Sequence, residues 1–387
     1  MSTSAYITPE ILEWARERAG MTVSDLAISL KVSTSNVQAW ERGAQRPTFS
    51  KAEAIAKRLR IPFGYLFLSK RPADDIPLPD LRTETGARPE HPTLDFIDIV
   101  QNTLLKQQWF SDYLQEVSSN KLDYVGSVRT GSDVIKTAEA MRKWLGINHQ
   151  MRERCTNWEQ FKTEFVRQAE AIGVLVMRSG VAGANTRPLA IREFRGFAIV
   201  DSFAPVVFIN SRDAKSAQIF TLAHELVHIW LGESGVSNPD PTKRSTEEHN
   251  RIEKFCNKVA AELLVPSAGV AQQWDSQQTM EANVQRLVRT YKVSRYVVAR
   301  QVYELDKINR NQYLDYLDQH QNLWKPKDVS DEESGGNFYV TFFARNSLNL
   351  VAGVVRALGE DRISYRDASK LLSVKTAILK KIADRLA

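Results

Sequence analysis

Cysteine, histidine and long apolar runs are all scarce in this sequence of 387 residues. Two cysteines are too few for a disulfide framework, which excludes the disulfide-stabilised secreted domains and fits a reducing compartment. No apolar run approaches the ~18 residues that a membrane span needs, and residues 1–20 lack the basic-then-apolar pattern of a signal peptide. We therefore expect a cytoplasmic protein with no membrane partner.

The excess of positive charge is only six, but this charge is unevenly distributed. Residues 1–71 hold 11 Lys and Arg against 6 Asp and Glu, and residues 336–387 hold 9 against 4. The residues between these two ends are therefore net acidic. Basic ends around an acidic middle indicate modules that have different partners.

Proline and glycine divide the chain into candidate domains. Five of the 14 prolines fall within residues 72–92, which predicts an extended linker. Residues 331–336 are acidic and then glycine-rich, which indicates a second break. The predicted parts are an N-terminal domain (1–71), the linker (72–92), a helical connector (93–150), a large central domain (151–330) and a basic helical C-terminal domain (336–387).

The N-terminal domain has the apolar spacing of short helices. Thr22 and Asp25 are spaced for a capping box, and Lys31-Val-Ser33 follows as a tight turn before a further helix. Five short helices, two of them joined by such a turn, predict an all-α helix-turn-helix domain.

Several residues in this domain resemble the XRE (lambda-repressor-like) family of DNA-binding proteins. They are Met21-Thr-Val-Ser-Asp-Leu-Ala27, Val32-Ser33, Val37-Gln-Ala-Trp-Glu-Arg-Gly43 and Pro47. The resemblance implies a double-stranded DNA operator, a homodimer, and a helix at 34–42 that enters the major groove. The chain departs from the family at Val23, where a glutamine that contacts DNA is usual.

The resemblance also implies which side chains contact the DNA. Hydroxyl and amide groups match the donors and acceptors of base edges, whereas basic side chains match phosphates. The implied base-reading residues are Ser35, Asn36 and Gln38, and the implied phosphate contacts are Arg42, Arg46 and Lys51.

The central domain contains the strongest chemical signal, His224-Glu225-Leu-Val-His228. On a helix the two histidines lie one turn apart on one face, so that both imidazoles reach one ion. Glu225 lies on the adjoining flank, where a carboxylate holds a water without binding the metal. This is the H-E-x-x-H arrangement of zinc peptidases, in which the glutamate is the general base. Apolar runs at 174–177, 197–200 and 206–209 predict a small sheet beside this helix.

A zinc site needs a third protein ligand, and the next predicted helix supplies carboxylates. The apolar stripe of that helix does not choose between Glu248 and Glu253. Cys256 lies on this stripe and is interpreted as a core residue rather than a ligand.

The central domain resembles the ImmA/IrrE metallopeptidase family over roughly residues 165–305. The matching residues are Glu253-x-x-Cys-Asn257-x-x-Ala-Ala261-x-Leu-Leu-x-Pro266, Arg195-Gly-Phe197, Phe208-Ile-Asn210 and Phe220-Thr-Leu-Ala-His224. The resemblance implies that His224, His228 and Glu253 bind Zn²⁺, and that Asn257 supports these ligands from behind. Cys256 replaces an alanine that is usual in the family.

The predicted fold is therefore multidomain: an all-α helix-turn-helix domain, an α+β zincin-like metallopeptidase domain and a helical C-terminal segment. The function that we expect is a DNA-binding regulator that cleaves a partner protein with zinc. Two alternatives remain open, an antitoxin that binds a cognate toxin, and a ligand- or metal-sensing transcription factor with an inactive peptidase-like domain. For the helix-turn-helix pair at 363–386, a capping or oligomerising hairpin is favoured over a second DNA contact.

Overall fold

The structure is a computed structural model that describes residues 3–72, 92–183, 187–237, 249–320 and 337–386, with backbone alone at 237, 249, 250 and 386. The described residues form two compact units. The first contains residues 3–72 and 92–100, and the second contains the residues from 101 onward. Most of the predicted linker, the predicted break at 331–336 and Glu248 lie outside the described residues.

The first unit is the helical bundle that the sequence predicts. Its elements are α1 (Pro9–Arg18), α2 (Val23–Leu30), α3 (Thr34–Glu41), α4 (Phe49–Leu59) and a 3₁₀ helix (Phe63–Phe67), and it also contains the first turns of α5 (Leu94–Glu116). Each of the first four helices is apolar on one side, and these sides share a core that includes Leu12, Leu26, Trp40 and Ile55. The 3₁₀ helix adds Leu66 to that core.

Local hydrogen bonds fix the start of α2 and the turn that leads from α2 to α3. Thr22 and Asp25 form the expected capping box, in which the Asp25 N–H donates to Thr22 Oγ1 at 3.1 Å and the Thr22 N–H donates to Asp25 Oδ2 at 2.9 Å. Lys31 ends α2 in the left-handed region with φ 53°. Ser33 then caps α3 by accepting from the Asn36 N–H at 3.3 Å. The chain therefore reverses within three residues, as a helix-turn-helix requires.

The second unit combines helices with a mixed sheet. After α5 its helices are α6 (Val134–Trp144), α7 (His149–Arg154), α8 (Trp158–Ala171), α9 (Lys215–Leu231), α10 (His249–Leu264), α11 (Ser267–Gln273), α12 (Met280–Tyr291), α13 (Arg295–Glu304), α14 (Arg310–His320), α15 (Phe338–Asn346), α16 (Leu348–Gly359), α17 (Tyr365–Leu371) and α18 (Thr376–Leu386). Its strands are β1 (Leu175–Ser179), β2 (Val181–Ala182), β3 (Arg187–Pro188), β4 (Gly196–Ile199), β5 (Val206–Asn210) and β6 (Gly235–Ser237).

The main sheet has the strand order β1-β5-β4-β6. β1 and β5 are parallel, whereas β4 is antiparallel to both β5 and β6. Every residue of β4 and β5 is buried, because helices cover the sheet, and this explains the near-continuous apolar runs in the sequence. β2 and β3 form a separate antiparallel pair.

Helix α9 is packed between this sheet and α10. All its residues from Ala217 to Leu231 are buried, which explains why its apolar residues are not confined to one stripe. Gly232 ends the helix in the left-handed region with φ 78°, where glycine carries no steric cost. The polar residues of α9 are therefore held inside the protein.

Two arginines from helices preceding the sheet hold the C-terminal end of α10. Arg142, on α6, donates to the Glu262 carbonyl at 2.6 Å, and Arg152, on α7, donates to the Leu264 carbonyl at 2.8 Å. These carbonyls belong to the last turn of a helix, which lacks internal donors. Arg142 lies in the region predicted as a helical connector and Arg152 at the start of the predicted central domain, so both regions supply side chains that fix α10.

The C-terminal helices attach to the second unit at the bend between α15 and α16. The Ser347 hydroxyl donates to Glu170 Oε1 at 2.6 Å, and the Leu348 N–H donates to the same oxygen at 3.0 Å. Within the described residues no single helix is long and apolar enough to cross a membrane. α15 and α16 pass that test of length and composition only when taken together, and they are bent by 92°.

Candidate metal centre and DNA-binding helix

Three polar side chains from α9 and α10 converge at one point inside the second unit. His224 Nε2 lies 3.2 Å from His228 Nε2 and 3.2 Å from Glu253 Oε2, and His228 Nε2 lies 3.1 Å from Glu253 Oε1. Both histidines are fully buried and Glu253 is 2% exposed. Donor atoms at about 2.0–2.1 Å from a tetrahedral zinc ion are about 3.3 Å apart, so this spacing suits such an ion.

Helix geometry explains why the two histidines meet the glutamate. His224 and His228 are four residues apart on α9, so their rings lie one above the other on the side that faces α10. Glu253 is on the first full turn of α10 for which side chains are described, opposite the pair. The buried histidine pair fits an HExxH-type site.

Asn257 orients one of these rings. Its Oδ1 lies 3.1 Å from His224 Nδ1. Because an amide oxygen only accepts, His224 carries its proton on Nδ1 in this contact, and its Nε2 lone pair faces His228 and Glu253. The structure thus places the Asn257 oxygen against Nδ1 of His224, on the other side of the ring from Nε2.

The protonation states of the buried groups suit a cation. Burial lowers the pKa of His224, which favours its neutral form. Burial alone would raise the pKa of Glu253, but the adjacent imidazoles outweigh it and lower this pKa to about 2. A deprotonated carboxylate and imidazole are the forms that bind metal ions, and in the described part of the chain no Lys or Arg forms an ion pair with Glu253. A divalent cation would offset the cost of burying this carboxylate.

Cys256 is a rival for the third position. Its Sγ and one ring nitrogen from each of His224 and His228 all lie within 4.8 Å of one another, so that these three form a possible metal site as well. The carboxylate oxygens of Glu253 lie 3.2 Å from His224 Nε2 and 3.1 Å from His228 Nε2. Burial, followed by the charges of Glu253 and Glu225, raises the pKa of the Cys256 thiol well above its ordinary value. We favour Glu253 because each of its carboxylate oxygens lies within 3.2 Å of an imidazole nitrogen of the pair.

Glu225 occupies a different side of α9 from the histidine pair. It is fully buried, and its Oε1 lies 2.9 Å from the position that a Cβ atom would take on Gly196 of β4. The same Cβ would lie 2.6 Å from Thr221 Cγ2 and 3.0 Å from the Phe208 carbonyl oxygen. Only glycine leaves room here, so Gly196, which belongs to the Arg195-Gly-Phe197 match but was given no role from the sequence, is a functional candidate. A glycine inside an apolar strand pattern was the available signal.

The residues proposed to read DNA bases lie on one exposed face of α3. Ser35 and Gln38 are exposed and Asn36 is half-buried, whereas Val37 and Trp40 point into the core. Ser35 Oγ is 2.8 Å from Ser33 Oγ. The outward face of α3 is therefore polar, and its contacts with the core are made by apolar residues.

The three basic residues that are predicted to contact phosphates differ in their exposure and in the contacts that they make within the protein. Arg42 and Arg46 are exposed, and the Arg46 guanidinium stacks on the Tyr6 ring with its Cζ 3.7 Å from the ring centroid. Lys51 is half-buried, and its ammonium donates to the Leu30 carbonyl at 2.8 Å. This bond holds the end of α2, so Lys51 has a structural role beside the predicted phosphate contact.

Comparisons with known proteins match two separate regions of the chain. Residues 12–66 match a family model described as helix-turn-helix, and residues 169–303 match the M78 peptidase family model described as the IrrE N-terminal-like domain. No curated protein matches the chain. The second match contains the whole convergence of α9 and α10. The chain therefore carries an XRE-type helix-turn-helix domain at its N-terminus and, after it, an IrrE N-terminal-like domain of the M78 peptidase family.

Proposed function

We propose that this chain is a DNA-binding transcriptional regulator whose central domain is a zinc-dependent endopeptidase that cleaves a partner protein. The observation that carries the proposal is the meeting of His224, His228 and Glu253 at 3.1–3.2 Å, with Glu225 next to His224 on the same buried helix. The helix-turn-helix match supplies the DNA-binding half.

The donor set accounts for the choice of zinc. Two imidazoles and one carboxylate, with a fourth position open, form a common catalytic set for this ion. Zinc in such a set lowers the pKa of a water and polarises a peptide carbonyl. Asn257 keeps the His224 ring in the orientation that presents Nε2.

Glu225 is proposed as the general base. Its carboxylate accepts a proton from the attacking water and passes it to the nitrogen of the leaving amine. Gly196 gives this carboxylate its space. β6 is one of the two terminal strands of the described sheet, and we propose that an extended peptide pairs with its outer edge.

Cleavage is tested with the zinc-loaded full chain and a proteome-derived peptide library, in which mass spectrometry detects new peptide termini. We expect wild type to produce them and Glu225→Gln to produce none while it retains zinc. Glu233→Gln is the matched control, because Glu233 is exposed and carries the same chemical group. Equal cleavage by Glu225→Gln and the control would contradict the role of Glu225.

A second candidate function follows from burial. His224, His228 and Glu225 have no exposed surface and Glu253 has 2%, so a bulky substrate does not reach them in this conformation. This favours a metal-sensing transcription factor as the alternative. A sensor would change its DNA affinity when zinc is removed, and Glu225→Gln would leave that change intact. The antitoxin hypothesis stays a prediction, and the neighbouring gene is its simplest test.

The proposed homodimer has a candidate surface in the first unit. Phe49 is 43% exposed and Phe67 38%, and these rings stack with a centroid separation of 6.4 Å. Helix-turn-helix proteins read two half-sites as dimers, so we propose that a second copy of the chain covers this pair. Light scattering of Phe49→Ser/Phe67→Ser should give a monomer where wild type gives a dimer, and an unchanged mass would exclude this surface.

A further inference from the structure

The C-terminal helices α16, α17 and α18 repeat the arrangement of α1, α2 and α3. In both sets the first helix packs against the third, and the second and third are joined by a tight turn. The turn residue is left-handed in each, with φ 53° at Lys31 and 54° at Ser373. The next residue closes both turns in the same way: Val32 N–H donates to the Ala27 carbonyl at 3.0 Å, and Val374 N–H donates to the Ser369 carbonyl at 3.0 Å.

The correspondence extends to the cap of the second helix. Thr22 stands nine residues before the left-handed Lys31, and Ser364 stands nine residues before Ser373. Ser364 Oγ accepts from the Asp367 N–H at 3.1 Å and donates to Asp367 Oδ2 at 2.7 Å, as Thr22 does with its own aspartate. The same hydrogen-bonded frame therefore orients both pairs of helices.

Buried positions coincide as well. Val37 and Trp40 follow the left-handed residue by six and nine positions, and both are buried in the core of the first unit. Leu379 and Ile382 follow Ser373 by the same six and nine positions and are 1% and 0% exposed. α18 thus has the position in its bundle that α3 has in the first.

The outward face of α18 is basic. Lys380 and Lys381 are exposed at the positions of Gln38 and Ala39, and Lys375 is exposed just before the helix. Residues 364–386 contain six Lys and Arg against two Asp and Glu. In the described part of the chain no carboxylate forms an ion pair with these three lysines, so their charges are available to a partner.

We propose that α17 and α18 form a second DNA-binding helix-turn-helix, in which Lys375, Lys380 and Lys381 contact the phosphates of double-stranded DNA. Lysines rather than amides at the outward positions favour backbone contacts over base reading. The contribution is therefore expected to be independent of sequence and strongly dependent on salt.

The burial of α18 argues against the hairpin that the sequence favoured. The apolar residues Leu379 and Ile382 of α18 are already covered within the chain, where α16 packs on α18, so they are not available to a second copy. Among the described side chains of this pair, the exposed large apolar one is Tyr365 on α17, at 54%. The bend at Ser347, which lies outside this helix pair, binds Glu170 of α8. What α18 leaves outward is a charged face.

The test measures binding of the full-length chain to a 40-base-pair duplex of random sequence by fluorescence anisotropy across a salt series. Lys380→Glu/Lys381→Glu should lower the affinity at low salt about tenfold or more, and should reduce the slope of log K against log salt by about 0.9 for each phosphate that is no longer neutralised. Lys136→Glu/Lys143→Glu is the matched control, because both lysines are exposed on α6 and the net charge changes equally. The control should change the affinity less than about threefold.

Two further measurements separate this proposal from others. In a Gln38→Ala/Arg42→Glu background, where the first helix-turn-helix is impaired, the residual duplex binding should still fall when the charges of Lys380 and Lys381 are reversed. The conservative Lys380→Arg/Lys381→Arg variant should keep the affinity. An affinity and slope equal to those of the control, a preference for single-stranded RNA of the same length, or a loss of DNA binding that follows a change of oligomeric mass would each overturn the proposal.

Discussion

Helices α3 and α9 both carry polar residues at helical spacing, but they place them in opposite environments. Ser35 and Gln38 of α3 are exposed, whereas His224 and His228 of α9 have no exposed surface. The polar groups of α3 stay hydrated, so they do not reduce the stability of the fold before a ligand binds. α9 buries its polar groups, and such groups destabilise a fold unless they are paired.

This difference suggests how each site is maintained. The face of α3 is supported by an apolar core beneath it, so its chemistry is separable from stability. The α9 site lies inside the core of the second unit, so its chemistry and its stability are coupled. We therefore expect substitutions in α9 and α10 to change both metal binding and unfolding, and substitutions on α3 to change DNA binding alone.

The largest effect is expected from removal of a metal ligand. Zinc that binds only the folded protein stabilises it by about 4 kcal/mol when free zinc is a thousand times its Kd. His228→Ala should lose this zinc-dependent gain, because it removes one of three converging donors. Chemical denaturation with zinc and with a chelator measures the gain. His149→Ala, at an exposed histidine, is the control and should keep it.

Gly196→Ala should have the next largest effect. Its Cβ would lie 2.6 Å from Thr221 Cγ2 and 3.0 Å from a backbone oxygen, and neither can move far in a packed core. We expect a loss of about 3 kcal/mol in the free energy of unfolding, together with displacement of Glu225. Gly359→Ala is the control: its added Cβ would have no atom within 4 Å, so this substitution should be neutral or slightly stabilising. Equal stability of the two variants would refute the close approach of β4 to α9.

Asn257→Ala should have a smaller effect, confined to the metal. Loss of the acceptor at His224 Nδ1 removes the hydrogen bond that sets the ring, which typically lowers metal affinity about 10- to 100-fold. Competition with a zinc-binding dye measures this change. Asn257→Asp keeps an oxygen acceptor at the same place and should recover most of the affinity. A zinc affinity in Asn257→Ala equal to that of wild type would show that the hydrogen bond does not orient His224.

The smallest change in stability is expected on α3. Ser35→Ala and Gln38→Ala remove exposed groups, so the free energy of unfolding should stay within about 0.5 kcal/mol of wild type. DNA affinity should nevertheless fall, by about 1–3 kcal/mol for each base edge that is no longer read. Electrophoretic mobility shifts on a duplex selected from random sequence measure this. A loss of stability as large as that of Gly196→Ala would remove the contrast between α3 and α9.

Local signals in the sequence predicted most of the helices and both family domains. The capping box at Thr22, the tight turn after Lys31 and the spacing of His224 and His228 depend on neighbours within one or two helical turns. Such features are encoded by adjacent residues, so they can be read without a structure. The apolar run at 206–209 likewise predicted the strand that the structure contains there.

Long-range contacts account for what the sequence did not reveal. Arg142 and Glu262 are 120 positions apart, so nothing local indicates that one would bind the other's carbonyl. Gly196 is needed because of Glu225, which lies on another element. The helix-turn-helix pair at 363–386 was visible in the sequence, but the packing of α16 on α18 that completes its likeness to α1–α3 is a contact between separate elements.

The ligand set is tested most directly by zinc K-edge X-ray absorption of the full-length, zinc-loaded chain. With His224, His228 and Glu253 as ligands, the first shell contains only nitrogen and oxygen, at about 2.0–2.2 Å. Cys256→Ser should give the same spectrum, and Glu253→Gln should lose the bound zinc. A sulfur scatterer at about 2.3 Å that disappears in Cys256→Ser would contradict this site and replace Glu253 by Cys256.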